Sequence, residues 1–408
     1  MSDFDADVIV IGGGIIGVAV AALLRGQSVL VVDSGSPEFG TSSANAGHIV
    51  VSHATPFAAP GMVGQGLRSL LARDGAFALS PRLPLSGLTW LARFTAHCTA
   101  RNAEILTPGI LSLLRNSAAG VRSLGIPTSS HPIWEVFTGN GSQDRAAHEA
   151  DHMRDLGIDT ALIDPELVSE AEPLLLSHNL SVVELREDFG VDPQLLWETL
   201  KVTNDQATFL TNHTVSGIDA SPDSVRVHLG STTLSAPTIV IAAGAWTPNL
   251  TRLLGVSLPI IAAKGYSITV PDLETNVQHP MIFADEKFVV NPLGNSLRIS
   301  SRFELTRAND RSIDPRQIRH MYAQAKTVVD LPNLPQSLES LAPWTGVRPA
   351  SADGAPFIGP LRGMPHVVVA SGHGMIGTSS AMGTADLVAR YIRGGSITTA
   401  ELALTPNR

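Results

Sequence analysis

Two glycine-rich turns and one arginine carry the chemistry legible in this chain. Near the N-terminus Val8-Ile9-Val10-Ile11 runs into Gly12-Gly13-Gly14-Ile15-Ile16-Gly17, and near the other end His366–Ala370 runs into Gly372-His373-Gly374-Met375-Ile376-Gly377-Thr378. In the first turn Gly12 makes the tight bend, Gly14 lets the backbone approach a pyrophosphate, and Gly17 lets a helix pack closely on the strand. The helix that starts at Ile15 and Ile16 turns its N–H groups and partial positive charge toward the phosphates. Ser28–Val32 reads as the next strand and ends at Asp33, beside Ser34. A carboxylate there suits ribose hydroxyls and repels a 2′-phosphate. NAD would satisfy the first turn alone; the pair of turns points to a flavoenzyme holding one extended dinucleotide.

The elements that must position these groups follow along the chain. Thr41-Ser42-Ser43-Ala44-Asn45-Ala46-Gly47-His48 is a small, hydroxyl-rich loop suited to close approach of a cofactor. Helices are expected over Pro108–Leu124, Ser142–Leu156 and from Gln194 after the Asp192-Pro193 cap. Thr208–Val215 reads as a third nucleotide strand, Val225–Leu229 with Thr232–Leu234 as a hairpin, and Thr238–Ile241 as a buried parallel strand ending in Ala243-Gly244-Ala245-Trp246. Ile260–Val270, Met281–Val290 and Ser296–Phe303 alternate as an antiparallel sheet of different character. The expected fold is α/β: a doubly wound, mainly parallel Rossmann-type domain over 1–60, 142–256 and 340–408, and an α+β substrate domain over 61–141 and 257–339.

Composition excludes several classes. The chain has 408 residues, 44% hydrophobic, and a net charge of −9 with no cluster of Lys and Arg, which argues against nucleic acid. A single cysteine, Cys98, excludes a disulfide framework and cysteine-rich metal ligation, and the histidines lack ligand spacing, so no metal is expected. Absence of a signal-like segment or a long apolar run suggests a cytoplasmic protein. Residues 62–100, leucine-rich among scattered Arg, read as cover for the core, with peripheral contact to the inner face of a membrane as the second reading.

The Gly-x-Gly-x-x-Gly turn, Asp33, the Ser42–Gly47 loop, the Ala243–Trp246 strand end and the stretch Arg348-Pro349…Asp353-Gly354…Pro356…Gly359 resemble the D-amino acid oxidase/glycine oxidase superfamily over nearly the whole chain. The Ser-x-Ala-Asn-Ala-Gly loop and Lys264-Gly265-Tyr266-Ser267 are most similar to the bacterial D-amino acid dehydrogenases. His48, in place of a more usual Gln, and Ser300-Ser301-Arg302, in place of a glycine-rich turn, depart from that pattern.

The resemblance implies FAD as cofactor and oxidation of an amino acid by hydride transfer from Cα to flavin N5, giving an imino and then an oxo acid. Arg348 matches the superfamily's carboxylate-binding arginine, its planar fork suiting a bidentate contact; an Arg paired to an Asp under the turn is the alternative. Tyr266 and His48 are candidate substrate contacts, and Arg302 is a second cation read as a solvated strand residue. His373 and the backbone from Gly374 to Thr378, through Met375, Ile376 and Gly377, are expected at the flavin ring, and Val215 at the adenine, with Thr214 or Ser216 if the strand is displaced by one. Ala44 stands where related enzymes link flavin to histidine, so non-covalent FAD is expected. D-proline, cis-4-hydroxy-D-proline and sarcosine or glycine are the alternative substrates, a quinone or carrier is favoured over oxygen as acceptor, and a non-catalytic flavin-binding protein is the reading from another class.

Overall fold

A computed structural model of the chain describes residues 4–36, 40–71, 75–176, 179–271, 277–330 and 338–408. Its first strand, β1 (Val8–Ile11), is buried throughout, as expected of a run with no polar residue. It lies at the middle of a six-stranded sheet, between Thr238–Ile241 on one side and β2 (Val29–Val32) on the other, both parallel to it. Ala207–Leu210 extends the sheet beyond β2, and Met364–Ser371 and Phe357–Leu361 extend it beyond Thr238–Ile241. Only the Phe357–Leu361 edge pairing is antiparallel. The fold is the expected Rossmann-type domain joined to a second domain built on an antiparallel sheet.

Helix α1 (Ile15–Leu23) buries eight of its nine residues. It packs with the helix Ala381–Arg393 on one face of the parallel sheet, while the meander Gly217–Ala220, Val225–Leu229 and Thr232–Ala236 covers the other through Ile218, Val225 and Val227. A third helical layer comes from the middle of the chain. After α2 (Met62–Leu71) and α3 (Ser86–His97), the helix α4 (Ala100–Ser123) places Leu106, Ile110, Leu113 and Leu114 in the same core as α1. α4 starts eight residues before the expected Pro108, because Thr99 caps it by accepting the Asn102 N–H and helix-forming residues fill its first turns.

The second sheet has nine strands. Trp344–Ser351 pairs with Ile260–Val270, which pairs with Ser296–Thr306, and the sheet continues through Phe288–Leu293, Met281–Phe283, Ile133–Thr138, Leu180–Leu185 and Thr160–Ile163. Two pairings are parallel, Met281–Phe283 with Ile133–Thr138 and Ser296–Thr306 with Phe77–Leu79. The expected strand Met281–Val290 is therefore two strands with a turn at Lys287, whose φ is 60°.

The chain is partitioned differently from the expected boundaries. Strands Thr160–Ile163, Leu180–Leu185 and Trp344–Ser351, assigned by sequence to the nucleotide domain, belong to the large sheet, and α4, assigned to the substrate domain, belongs to the nucleotide core. The cause is that strand pairing joins segments remote in sequence: Ile133–Thr138 needs Leu180–Leu185 as its antiparallel partner, and Arg348 is carried opposite Ala263. Residues 72–74 of the leucine-rich 62–100 segment lie outside the described residues.

Candidate active site

One large cavity of about 1050 Å³ runs between the carboxyl ends of the parallel strands and the face of the large sheet. Open α/β sheets hold their ligands at this crevice. Its nucleotide end is built by β1, α1 and β2. A side chain at Gly12 would meet the Ala242 carbonyl oxygen at 2.4 Å, at a φ of 114°, and one at Gly17 would meet the Gly12 oxygen at 1.8 Å. Both glycines are required by close backbone approach. Gly17 itself stands behind the turn, whereas Gly12, Gly14, Ile15 and Ile16 line the cavity.

Asp33 lines the cavity beside Ser34 and holds the turn, its two carboxylate oxygens accepting the Gly13 N–H at 2.7 Å and the Gly35 N–H at 2.9 Å. Gly14, the cap of α1, offers no side-chain acceptor; the Ser42 hydroxyl takes the Ile15 N–H at 2.9 Å instead. Ser42 thus stands where an anionic oxygen is favoured by the helix N-terminus.

The Thr41–His48 loop is pinned from both domains. Thr41 donates to the Val347 carbonyl, Asn45 donates to the Thr378 hydroxyl at 2.9 Å, and the Asn45 side-chain oxygen accepts the Gly47 N–H. Arg298 donates to the Asn45 carbonyl, and Asn291 to the Ala46 carbonyl. Thr41, Asn45 and Ala46 line the cavity; Ser43, buried and bonded to the Gly40 carbonyl, and Gly47 support the loop from behind.

The expected third nucleotide strand stops at Leu210, short of Val215. The chain turns away because Asn212 adopts a φ of 60° and the N–H groups of Asn212 and His213 bond the Gly35 and Asp33 carbonyls. Val215 and Thr214 reach the cavity from that loop, whereas Ser216 is bonded to His228. Opposite them are Ala243, Gly244 and Trp246, the last with the Arg311 guanidinium 5.8 Å over its ring.

At the far end the second turn contributes His373, Gly374, Met375, Gly377 and Thr378 to the wall, while Gly372 and Ile376 lie behind it. The His373 imidazole is bonded to the Thr384 hydroxyl at 3.0 Å, and burial lowers its pKa to about 3. It is a neutral prop for the turn. His48 also faces the cavity, but its Nε2 is committed to the Val290 carbonyl at 2.9 Å, and burial lowers it to about 4.

Arg348 reaches the cavity across Gly265, where a Cβ would stand 2.1 Å from its Nη1. Nη1 donates to the Arg302 carbonyl at 2.9 Å, and among the described residues no carboxylate pairs with it. The Asp353 of its own stretch pairs with Arg408 at 2.6 Å, so the alternative of an Asp under the turn is not what the fold builds. Burial lowers Arg348 to about 10, leaving it cationic at neutral pH.

Tyr266 departs from expectation. Its register on Ile260–Val270 turns the ring away from the main cavity, into a smaller chamber of about 160 Å³, where its hydroxyl donates to Glu304 at 3.2 Å. Arg302 departs too: its side chain is only 14% exposed, and it lines both the cavity and the smaller chamber. Glu135, Lys287 and His53 also line the cavity. Their only sequence signal is charge, because three different elements bring them together. Burial and the nearby Glu149 raise Glu135 to about 8.

A Rossmann-type sheet whose crevice is completed by a second sheet carrying an unpaired arginine defines a dinucleotide-dependent oxidoreductase of the two-domain type. The comparisons give the family. The DAO family, FAD dependent oxidoreductases, matches residues 7–391, and the chain belongs to it. It is an FAD-dependent oxidoreductase.

A D-amino acid dehydrogenase of Rhizobium johnstonii is 28% identical over 98% of this chain and 99% of its own length, and one of Sinorhizobium medicae is 29% identical over 94% and 95%. The glycine oxidase of Geobacillus kaustophilus has the same fold, with a TM-score of 0.77 at 21% identity over 99% of this chain and 98% of that one. L-proline dehydrogenase from P. horikoshii follows at 0.71 and 16%, over 99% and 97%.

The cavity fits FAD on its own terms. The cradle at Gly12 and Gly17 excludes side chains, the Asp33 carboxylate stands at the end of β2, and the Ser42 hydroxyl already takes an amide of the α1 terminus. Among the described residues no helix is long and apolar enough to cross a membrane.

Proposed function

We propose that this protein oxidises the Cα–N bond of a D-amino acid, with water converting the imino product to an oxo acid. The observation that carries the reading is Arg348, a half-buried cation on the cavity wall with no carboxylate partner among the described residues. A substrate carboxylate would complete its coordination, and a planar bidentate pair would fix the orientation of Cα. The full-length relatives named D-amino acid dehydrogenase support the choice of substrate class.

FAD, when bound, supplies the hydride acceptor. The chain's own residues bind and orient. Gly12, Gly14, Ile15, Ile16 and Ser42 would hold the pyrophosphate, Asp33 and Ser34 the ribose, Val215 the adenine, and Gly374 to Thr378 the ring. Ala44 offers no nucleophile for attachment, so the flavin is held non-covalently. His48, neutral through its buried bond to Val290, shapes the substrate end without exchanging a proton at physiological pH.

A quinone or carrier reoxidises the flavin in this reading, and α2 with the α3 region supplies the surface for peripheral membrane contact. Leu67 and Leu70 border the cavity and are also exposed, and Leu85 and Leu88 at the start of α3 are exposed as well. Sedimentation with anionic vesicles tests this: unchanged partition on L85E/L88E substitution refutes it.

The primary test is anaerobic mixing of the holoenzyme with D- and L-amino acids, including D-proline, cis-4-hydroxy-D-proline and sarcosine, while following the flavin band near roughly 450 nm. Bleaching by D-isomers is expected. Flavin that stays oxidised with every one of them would exclude amino-acid oxidation.

A further inference from the structure

The wall that carries Arg348 holds more positive charge than its own carboxylates neutralise. Lys264 pairs with Asp310 at 3.1 Å and Glu304 at 3.5 Å, and Arg82 pairs with Asp310 at 2.9 Å. Arg302 has only the distant edge of Glu304, 4.0 Å from its Nε, and that carboxylate is already shared with Lys264 and the Tyr266 hydroxyl. Among the described residues, Arg348 pairs with no carboxylate and Arg302 has only that shared Glu304.

Arg302 is built for such a role. Its Nε is buried without a hydrogen-bond partner, and its Nη1 donates to the Gly75 carbonyl at 3.0 Å. Leaving a buried charged donor unmatched is costly. The backbone is also unusual: Arg302 has a φ of 77°, in the bulge where Lys264 faces Glu304 but Tyr266 faces Ser301. Lys287, with a φ of 60°, accepts the Ser301 hydroxyl through its carbonyl and brings a second cation, this one exposed, to the same rim. Two left-handed non-glycine residues, each with a long cationic side chain, meet where the cavity joins the smaller chamber. Strained backbone of this kind persists where surrounding structure demands it. Of the acids near Lys287, Asp285 pairs with Arg145 at 3.0 Å, and Glu286 accepts the Thr138 hydroxyl through one oxygen while its other oxygen is buried without a hydrogen-bond partner. Glu135, raised to about 8 by burial, adds little negative charge at pH 7.

We propose that Arg302, assisted by Lys287, forms a second anion subsite, so that the substrate is a D-amino acid carrying a second carboxylate, in its side chain or on its nitrogen. This rests on the reading of Arg348 as the anchor of the first carboxylate.

The test is a binding titration of the holoenzyme with glutarate and pentanoate, equal in chain length but differing by one carboxylate, read from perturbation of the flavin spectrum. A charge-assisted contact in a buried site predicts glutarate binding roughly 10–100-fold tighter than pentanoate. Arg302→Asn, whose side chain tolerates the left-handed backbone, should reduce that ratio to near one. Arg302→Lys should retain most of it, and Lys287→Asn should lower it several-fold.

Equal wild-type affinities, or a ratio unchanged by R302N, would overturn the subsite. Should R302N fail to retain FAD, the wild-type ratio with R302K and K287N decides. Turnover locates the second carboxylate: a kcat/KM preference for D-glutamate over D-glutamine places it in the side chain, and one for iminodiacetate over sarcosine places it on nitrogen. Bleaching by neutral D-amino acids with no diacid preference would remove the subsite and leave the proposed reaction. A diacid preference in binding, with no amino acid bleaching the flavin, would do the reverse.

Discussion

The two walls of the cavity are made in opposite ways. The nucleotide wall is local: Gly12, Gly14, Ile15 and Asp33 arise from one strand-turn-helix-strand unit of fewer than thirty residues, and its strain is confined to glycines. The substrate wall is assembled from afar: Arg348, Gly265 and Arg302 come from three strands of the large sheet and Lys287 from a turn between two others, and two of these residues, Arg302 and Lys287, occupy left-handed backbone. A dinucleotide asks for close, uniform backbone approach, which a short motif supplies, whereas a substrate asks for a few charges at set separations. The first wall can therefore stay constant while the second varies.

The most severe way to break this contrast is at the glycine turn. Gly17→Val would drive a side chain into the Gly12 carbonyl, 1.8 Å from where its Cβ must stand, and is expected to cost at least about 4 kcal/mol and to yield protein without flavin, seen as loss of absorbance near roughly 450 nm and of a cooperative melt. Arg348→Met tests the other wall: flavin content stays at the wild-type level while kcat/KM falls roughly 10²–10³-fold, as expected for losing a bidentate charged contact. If R348M lost flavin instead, the walls would not be separable.

Gly265→Ala should sharpen the comparison. Its methyl would collide with the Arg348 guanidinium, so KM is expected to rise about tenfold with flavin binding intact, measured by steady-state kinetics beside flavin content. The smallest effect concerns acid stability. Burial holds folded His48 at about 4, below its ordinary value of 6.5, so the folded state favours the neutral ring. The unfolded chain then takes up protons first, and stability is lost as pH falls from about 6.5 toward 4, by roughly 1–3 kcal/mol for this group. His48→Gln should flatten that part of the melting-temperature profile between pH 7 and 4.5; an unaltered profile would refute the assignment.

Legibility in the sequence follows the same division. The first turn, β2 and the placement of Asp33 were readable because period and spacing are local properties. Arg348 was readable because it stands in a motif. Tyr266 was misassigned to the cavity since the face a strand residue takes depends on register, and simple alternation with Gly265, which faces Arg348, turns Tyr266 to the other side. Arg302 looked like a solvated residue because nothing in Ser300-Ser301-Arg302 announces the partner strand that buries it. The domain boundaries failed for a related reason: Thr160–Ile163 and Leu180–Leu185 show their sheet only once Ile133–Thr138 is known to pair with them.

The slot that Gly265 opens for Arg348 has one more consequence. A long flexible side chain ordinarily loses about 1–2 kcal/mol of rotamer freedom when it is fixed. Here the guanidinium is held beforehand, between a residue with no side chain and the Arg302 carbonyl that takes its Nη1. That entropy is lost during folding, once, and each arriving substrate meets a cation already immobilised, so affinity is gained through preorganisation without any added contact.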